Sequence, residues 1–248
     1  MELKLIRQVN ALKLCVVCLI LMNLMMLFSS FADKTKKVSF EEIDAQRINI
    51  IGTTGKPVMS ISNRRLIPGP SMNGKIYPKE YADSRELFSG IIFFNEQGDE
   101  VGGLIYNGFP KDSGYYAMEH LSFDQWKHNQ VVAMQYIDNG KSRRAGLRVW
   151  DRPTNASLDQ IFDRFKARNG VSKSSAAYDS ITNEIKASAG RGDNGVERMF
   201  IGSQDEVAQV QLRDKQGRVR ARFFVDKSGE ARLEFFDSTG SVKNTFPN

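Results

Sequence analysis

A chain of 248 residues and 28.0 kDa has room for one large domain or two small ones, and 41% hydrophobic with 26% charged residues is a globular composition, not a disordered one. A net charge of +6 suits anionic partners such as lipid headgroups, acidic polysaccharide or nucleic acid, and equally suits a basic surface with no such partner. The only two cysteines are Cys15 and Cys18, so the chain beyond them has neither a disulfide staple nor thiolate chemistry.

Both cysteines lie in an apolar segment, nineteen uncharged residues from Leu14 to Ala32, close to the length a helix needs to cross a bilayer. Among Leu, Val and Ile their thiols act as small hydrophobes, and Lys13-Leu14 before Cys15 does not fit a lipoprotein signal. Lys4, Arg7 and Lys13 with Ser30-Phe31-Ala32 also fit a cleaved signal peptide. The long lead and the Phe within the cleavage triplet favour an uncleaved anchor. Lys34, Lys36 and Lys37 follow the segment, so basic residues flank it on both sides and orient it only weakly. A short unfolded lead most simply stays in the cytoplasm, which puts the rest of the chain outside. The expected organisation is residues 1–32 as tail and anchor in the lipid bilayer through residues 14–32, 33–44 as linker, and 45–248 as an extracytoplasmic domain.

Strand patterns follow near Arg47–Ile51, Val58–Ser62, Gly90–Asn95, Val101–Tyr106, Val131–Ile137 and Ala145–Trp150. Gly102-Gly103 marks a bulge or a close backbone approach. Residues 63–80, rich in Pro and Gly, predict an irregular surface loop, and 107–118 are similar. Ser157-x-x-Gln160 resembles a capping box ahead of Leu158, Ile161, Phe162 and Phe165, a helical stripe that ends at Asn169-Gly170. A second helix is expected over about Ser175–Ala189, with Tyr178, Ile181 and Ile185 on one face and Gly190 as its stop.

Asx-x-x-Gly turns recur at Asn95–Gly98, Asp214–Gly217, Asp226–Gly229 and Asp237–Gly240, the last three spaced as in a β meander, with Asp138-Asn139-Gly140 a tighter relative. Pairing Asp226 with Glu230 sets Val225 against Ala231, Phe223 against Leu233, Ala221 against Phe235 and Arg222 against Glu234. For the flanking hairpins a two-residue loop would bring Leu212 to Val219 and Phe235 to Val242. The fold class is therefore mainly β, an antiparallel meander forming a sandwich or barrel-like domain, with two inserted helices near 157–189 and one N-terminal transmembrane helix.

Chemistry is harder to find. The sequence has no glycine-rich phosphate loop, no Gly-x-Ser-x-Gly elbow and no His-Glu-x-x-His. His120, Asp124 and His128 would line one face if their stretch were helical, as acid–base groups or metal ligands; a solvent-facing turn or an extended run is the plainer alternative. The carboxylate pairs Asp99/Glu100 and Glu41/Glu42 read as solvated, and the Asx-Gly turns lack the ligands of calcium loops. Arg191-Gly192-Asp193 resembles an adhesion tripeptide and Asn155-Ala-Ser157 a glycosylation sequon, both short enough to be chance. Arg213, Arg218, Arg220, Arg222 and Arg232 crowd the C-terminal meander. Arg218, Arg220, Arg222 and Arg232 are candidates for an anionic surface, with Phe224 and Phe236 beside them and Glu230 and Glu234 neutralising part of the face.

The runs Arg47–Ile51, Gly90–Gly98 and Gly146–Pro153 resemble those of bacterial exported or single-pass membrane proteins to which no activity is assigned. The resemblance implies a bacterial envelope setting and brings no functional residue. Three expectations follow. One is a non-catalytic, tethered protein whose β domain binds a protein, glycan or anionic surface, with nucleic acid disfavoured and no cofactor or metal. The alternative is an envelope hydrolase using His120, Asp124 and His128 with Asp151. The third is an assembly factor working through an open sheet edge.

Overall fold

The structure is a computed structural model that describes residues 2–30, 37–81, 85–112, 114–154, 157–190 and 195–247. The cleavage triplet beyond Ser30, Lys34, Lys36, Asn155 and Arg191-Gly192-Asp193 lie outside these residues. The chain divides into two compact units, Met1–Asp44 and Ala45–Asn248.

The first unit holds one helix, α1 (Glu2–Ser30). Its stretch Glu2–Met26 is long and apolar enough to cross a membrane, as a signal sequence also would be. Asn23 turns its amide back onto the Leu19 carbonyl at 2.8 Å, so its polar group is satisfied within the helix. The residues before Leu14 are helical rather than an unfolded lead, because no helix breaker separates them from the apolar run.

The second unit is built on one antiparallel meander. Its strands are β1 (Arg47–Ile51), β2 (Pro57–Ser62), β5 (Ser89–Phe94), β6 (Glu100–Lys111), β7 (Gly114–Asp124), β8 (Gln130–Asp138), β9 (Arg143–Asp151), β10 (Val196–Gln204), β11 (Val207–Arg213), β12 (Val219–Val225), β13 (Ala231–Phe236) and β14 (Val242–Phe246). All twelve form one sheet in sequential order, and β1 and β14 are its edges. A small hairpin, β3 (Ser71–Met72) and β4 (Lys75–Ile76), lies in the β2–β5 connection. Helices α2 (Leu158–Asn169) and α3 (Ala176–Gly190) fill the β9–β10 connection.

Local chemistry explains the turns. In the four Asx-x-x-Gly turns the first side chain accepts two backbone N–H bonds, as Asp226 Oδ1 does from Ser228 at 2.9 Å and Glu230 at 3.1 Å. The closing glycine takes a left-handed conformation, φ +90° at Gly229. The hairpin at Asp226 has the expected register, with Phe223 facing Leu233 and Arg222 facing Glu234. Its neighbours differ from expectation. Leu212 meets Ala221 instead of Val219, and Phe235 meets Asn244 instead of Val242. All three turns have one length, and a bulge in each flanking hairpin absorbs the extra residue.

Register then sorts side chains by face. One straight file runs Ile48, Ile61, Ile91, Leu104, Leu121 and Met134 across the first six strands of the order. It continues through Leu147, Ile201, Val210, Phe223, Leu233 and Phe246 to the far edge. A parallel file two residues away includes Ile50, Met59, Phe93, Phe123, Val132 and Val149, then Met199, Leu212 and Phe235. This face is apolar, yet it is open: Met134 is 61% exposed, Phe223 55% and Phe123 54%.

The opposite face mixes small and polar residues with Ile92, Phe200 and Phe224, and the chain covers it. Ser60, Ser62, His120, Ser122 and Gln209 are buried there. Over β5–β8 the cover comes from residues 63–81 and 85–88 and from α2. Met72, Tyr77 and Phe162 form its core, with the Tyr77 and Phe162 rings 4.7 Å apart. Residues 63–80 are thus no surface loop. The buried Asp99 ties them down by accepting the Asn73 N–H at 2.7 Å, and Ser157 donates to the Lys127 carbonyl instead of capping α2. Over β9–β13 arginines do the covering. Arg144 lies 4.1 Å over the Phe200 ring and Arg222 3.7 Å over Phe224, with Glu197 joining Arg144 at 3.0 Å to Arg148 at 2.7 Å.

Residues 107–111 and 114–118, expected to be irregular, instead belong to β6 and β7, and the stretch from Glu119 to Asp124 is strand rather than helix. Pairing along the whole hairpin, from Gly102–Phe123 to Lys111–Gly114, outweighs the local signals of Gly108, Pro110 and Gly114.

Close strand approach requires glycine at Gly202, where a Cβ would sit 2.1 Å from the Ala145 carbonyl oxygen. Gly202→Ala is expected to destabilise the domain by about 1–3 kcal/mol, and Ser203→Ala, at the exposed next position, by under about 0.5 kcal/mol. Denaturant unfolding of the two variants measures the difference.

Candidate functional site

The covered face of β6–β8 does not meet its cover everywhere. A cavity of 460 Å³ lies between them, within the size range of small-molecule sites. Ile105, Met118 and Ile137 from the sheet and Leu158, Ile161, Phe162 and Phe165 from α2 give it an apolar side. His120, Asp124, His128, Gln130 and Gln135 give it a polar one, with Arg85 and Glu100.

Strand β7 alternates, so His120 and Asp124 share the covered face, and the turn after it brings in His128. The turn closes by His128 N–H donating to the Gln125 carbonyl at 2.9 Å. The Asn129 N–H then donates to His128 Nδ1 at 2.8 Å, which leaves the ring proton on Nε2. That Nε2 has no hydrogen-bond partner and His128 is fully buried. Burial, followed by the nearby Arg152 charge, lowers its pKa and keeps the ring neutral. His120 is positioned by a relay: Arg148 donates to Gln135 Oε1 at 2.8 Å, and the Gln135 amide lies 3.1 Å from His120 Nδ1.

Asp124 is the most perturbed group. Burial, reinforced by the Glu100 carboxylate, pushes its pKa up to about 8 against the pull of Arg85 and Arg152. Arg85 is already engaged, gripping Glu100 with two bonds of 2.6 and 2.5 Å. Arg152 donates to the Gln130 carbonyl at 2.6 Å, and burial lowers its pKa to about 10. At neutral pH Asp124 is therefore a protonated carboxyl, His128 a neutral imidazole, and Arg85 with Glu100 an ion pair.

His120, Asp124 and His128 thus converge, on a strand and its turn rather than on a helix. Asp151 does not join them. It pairs with Arg198 on the rim of the opposite face, because its parity along β9 matches Val149 and not Arg148. Glu100, read as solvated, is half of the buried ion pair, and Asp99 is buried beside it; Glu41 and Glu42 are exposed. Nothing in the sequence marked Arg85 or Arg152 as their neighbours. Among the described residues no three His, Cys, Asp or Glu side chains are grouped to hold a metal ion.

The C-terminal arginines are engaged with the protein itself. Arg218 and Arg220 meet Asp214 at 2.8 and 3.6 Å, Arg222 meets Glu234 at 2.9 Å, Arg232 meets Asp226 at 3.5 Å, and Arg213 donates to Gln211 at 2.7 Å. Phe224 is buried under Arg222 and is not available to stack on a base or a sugar.

The Asp124 carboxyl keeps its proton to about pH 8 when folded and loses it near 3.8 when unfolded. Its contribution to stability is therefore full below pH 3.8 and is lost as pH rises to about 8. Between pH 6.5 and 8, above the ordinary titration of His128, stability should fall by up to about 1.4 kcal/mol per pH unit. Asp124→Asn should flatten that slope, as read by denaturant unfolding at each pH.

No family model, no curated protein and no solved structure matches this chain.

Proposed function

We propose that this is a non-catalytic, membrane-tethered protein of the bacterial envelope that binds another protein through the open apolar face of its sheet. The observation that carries the reading is the pair of apolar files, free of charged side chains and left uncovered from β1 to β14. Monomeric soluble proteins rarely leave an apolar patch above a few hundred Å² open to water. A glycan or an anionic surface fits less well, because that face offers almost no polar group and the arginines beyond it are already paired. Helix α1 supplies the tether in this reading.

Exposed file residues are not needed for the covered core, so replacing them separates binding from folding. Met134→Asp with Phe223→Asp should leave the unfolding free energy within about 0.5 kcal/mol of the parent. The same pair should reduce recovery of the crosslinked partner from membranes at least tenfold. Unchanged recovery would refute this use of the face.

A second reading, a hydrolase, is favoured by the convergence of His120, Asp124 and His128 on one cavity. It ranks below the first because Asp124 Oδ1 and His128 Nε2, although unpartnered, are sealed from solvent. A reacting atom has to come within about 3 Å of its acid or base. Turnover of a panel of nitrophenyl esters and glycosides, abolished by Asp124→Asn with stability kept, would reverse the ranking. No turnover above that of the Asn variant is expected.

A further inference from the structure

We propose that the partner seated on the apolar face is a second copy of this chain, the two sheets packing face to face as a sandwich. This rests on the reading that the face is a protein-binding surface, and it names the protein.

Three features argue for self-pairing. The first is size. Twelve strands spaced by about 4.8 Å span about 53 Å, and two files with their side-chain margins cover about 14 Å, roughly 750 Å² per copy. Standard stable interfaces bury about 800 Å² on each partner, and the flanking Tyr106, Tyr136 and Val225 extend the band toward that figure. The second is breadth. A helix covers a strip of about 10 Å, so a surface this wide is matched by another sheet at the usual separation of about 10 Å. The third is charge. The two files hold no ionisable side chain, so a copy laid on itself meets no like charge along them; Glu119 and the paired Asp151 and Arg198 sit at the rim.

A two-fold axis lying in the interface brings the middle strands of one copy over those of the other, whether it runs along or across them. The middle of the order falls between β8 and β9, so Met134 and Leu147 lie over the partner's middle strands.

The test uses the full chain in the membranes of producing cells, with Cys15→Ser and Cys18→Ser so that one introduced cysteine is the only thiol. With Met134→Cys, a bis-maleimide reaching about 10 Å, the spacing of packed sheets, should give a covalent species of twice the chain mass. Lys141→Cys, in the exposed β8–β9 turn, should not. Adding Phe223→Glu to Met134→Cys should lower the crosslinked fraction at least fivefold. Four outcomes overturn the inference. Equal crosslinking through Lys141→Cys would mean mere crowding. Crosslinking of Met134→Cys to one different protein would sink self-pairing and leave the proposed function standing. Ready labelling by a soluble maleimide with no crosslink at all would sink both. So would protection that disappears only on delipidation, which would put lipid on the face.

Discussion

An unbroken two-residue alternation, kept in register across twelve antiparallel strands, is the constraint on which the rest of this domain depends. A slip of one residue in any hairpin would turn that strand's apolar side chains to the covered face and its serines, histidines and glutamines to the open one. Five-residue Asx–Gly turns and compensating bulges hold the register where it matters. The covering layer follows from that choice. Small residues on the covered side let residues 63–81 and 85–88 and α2 come close, and the polar groups among them need hydrogen bonds once water is excluded.

The two halves of the covered face solve this differently. Over β5–β8 the cover is aromatic and aliphatic, and the polar groups left beneath it gather around a cavity. Over β9–β13 arginines take the place of that cover. Guanidinium groups lie over Phe200, Trp150 and Phe224, and their charge is returned to Glu197 and Glu234. Of the arginines that look from sequence like a surface for anions, Arg222 belongs to the roof of that half, and Arg218, Arg220 and Arg232 are held by Asp214 and Asp226, so the set makes a poor anion site.

Periodicity made much of this legible in advance. The Asp226 hairpin was readable to the residue, because its turn chemistry, its apolar pairing and its Arg222–Glu234 contact agree. Both inserted helices were readable from their stripes. The β6–β7 hairpin was not, because Gly108, Pro110 and Gly114 punctuate it locally while its stability comes from pairing across the sheet. The convergence of His120 and Asp124 shows why spacing alone misleads. A separation of four residues shares a face in a helix and in a strand alike, so the neighbours could be named on the wrong secondary structure. Asp151 failed the same argument by its parity along β9. The inversion of the faces could not be seen at all, since alternation tells which residues go together and not which side the chain will cover.

Sequential strand order also leaves two unpaired ladders, one outside β1 and one outside β14, where stray chains could dock and seed fibres. Each is blunted. Arg47 opens β1, Lys243 interrupts β14, and Pro247 just beyond it brings no amide hydrogen to an incoming strand. Sideways growth is thereby discouraged along both margins, and an encounter with another molecule is steered away from endless ribbons toward something that closes.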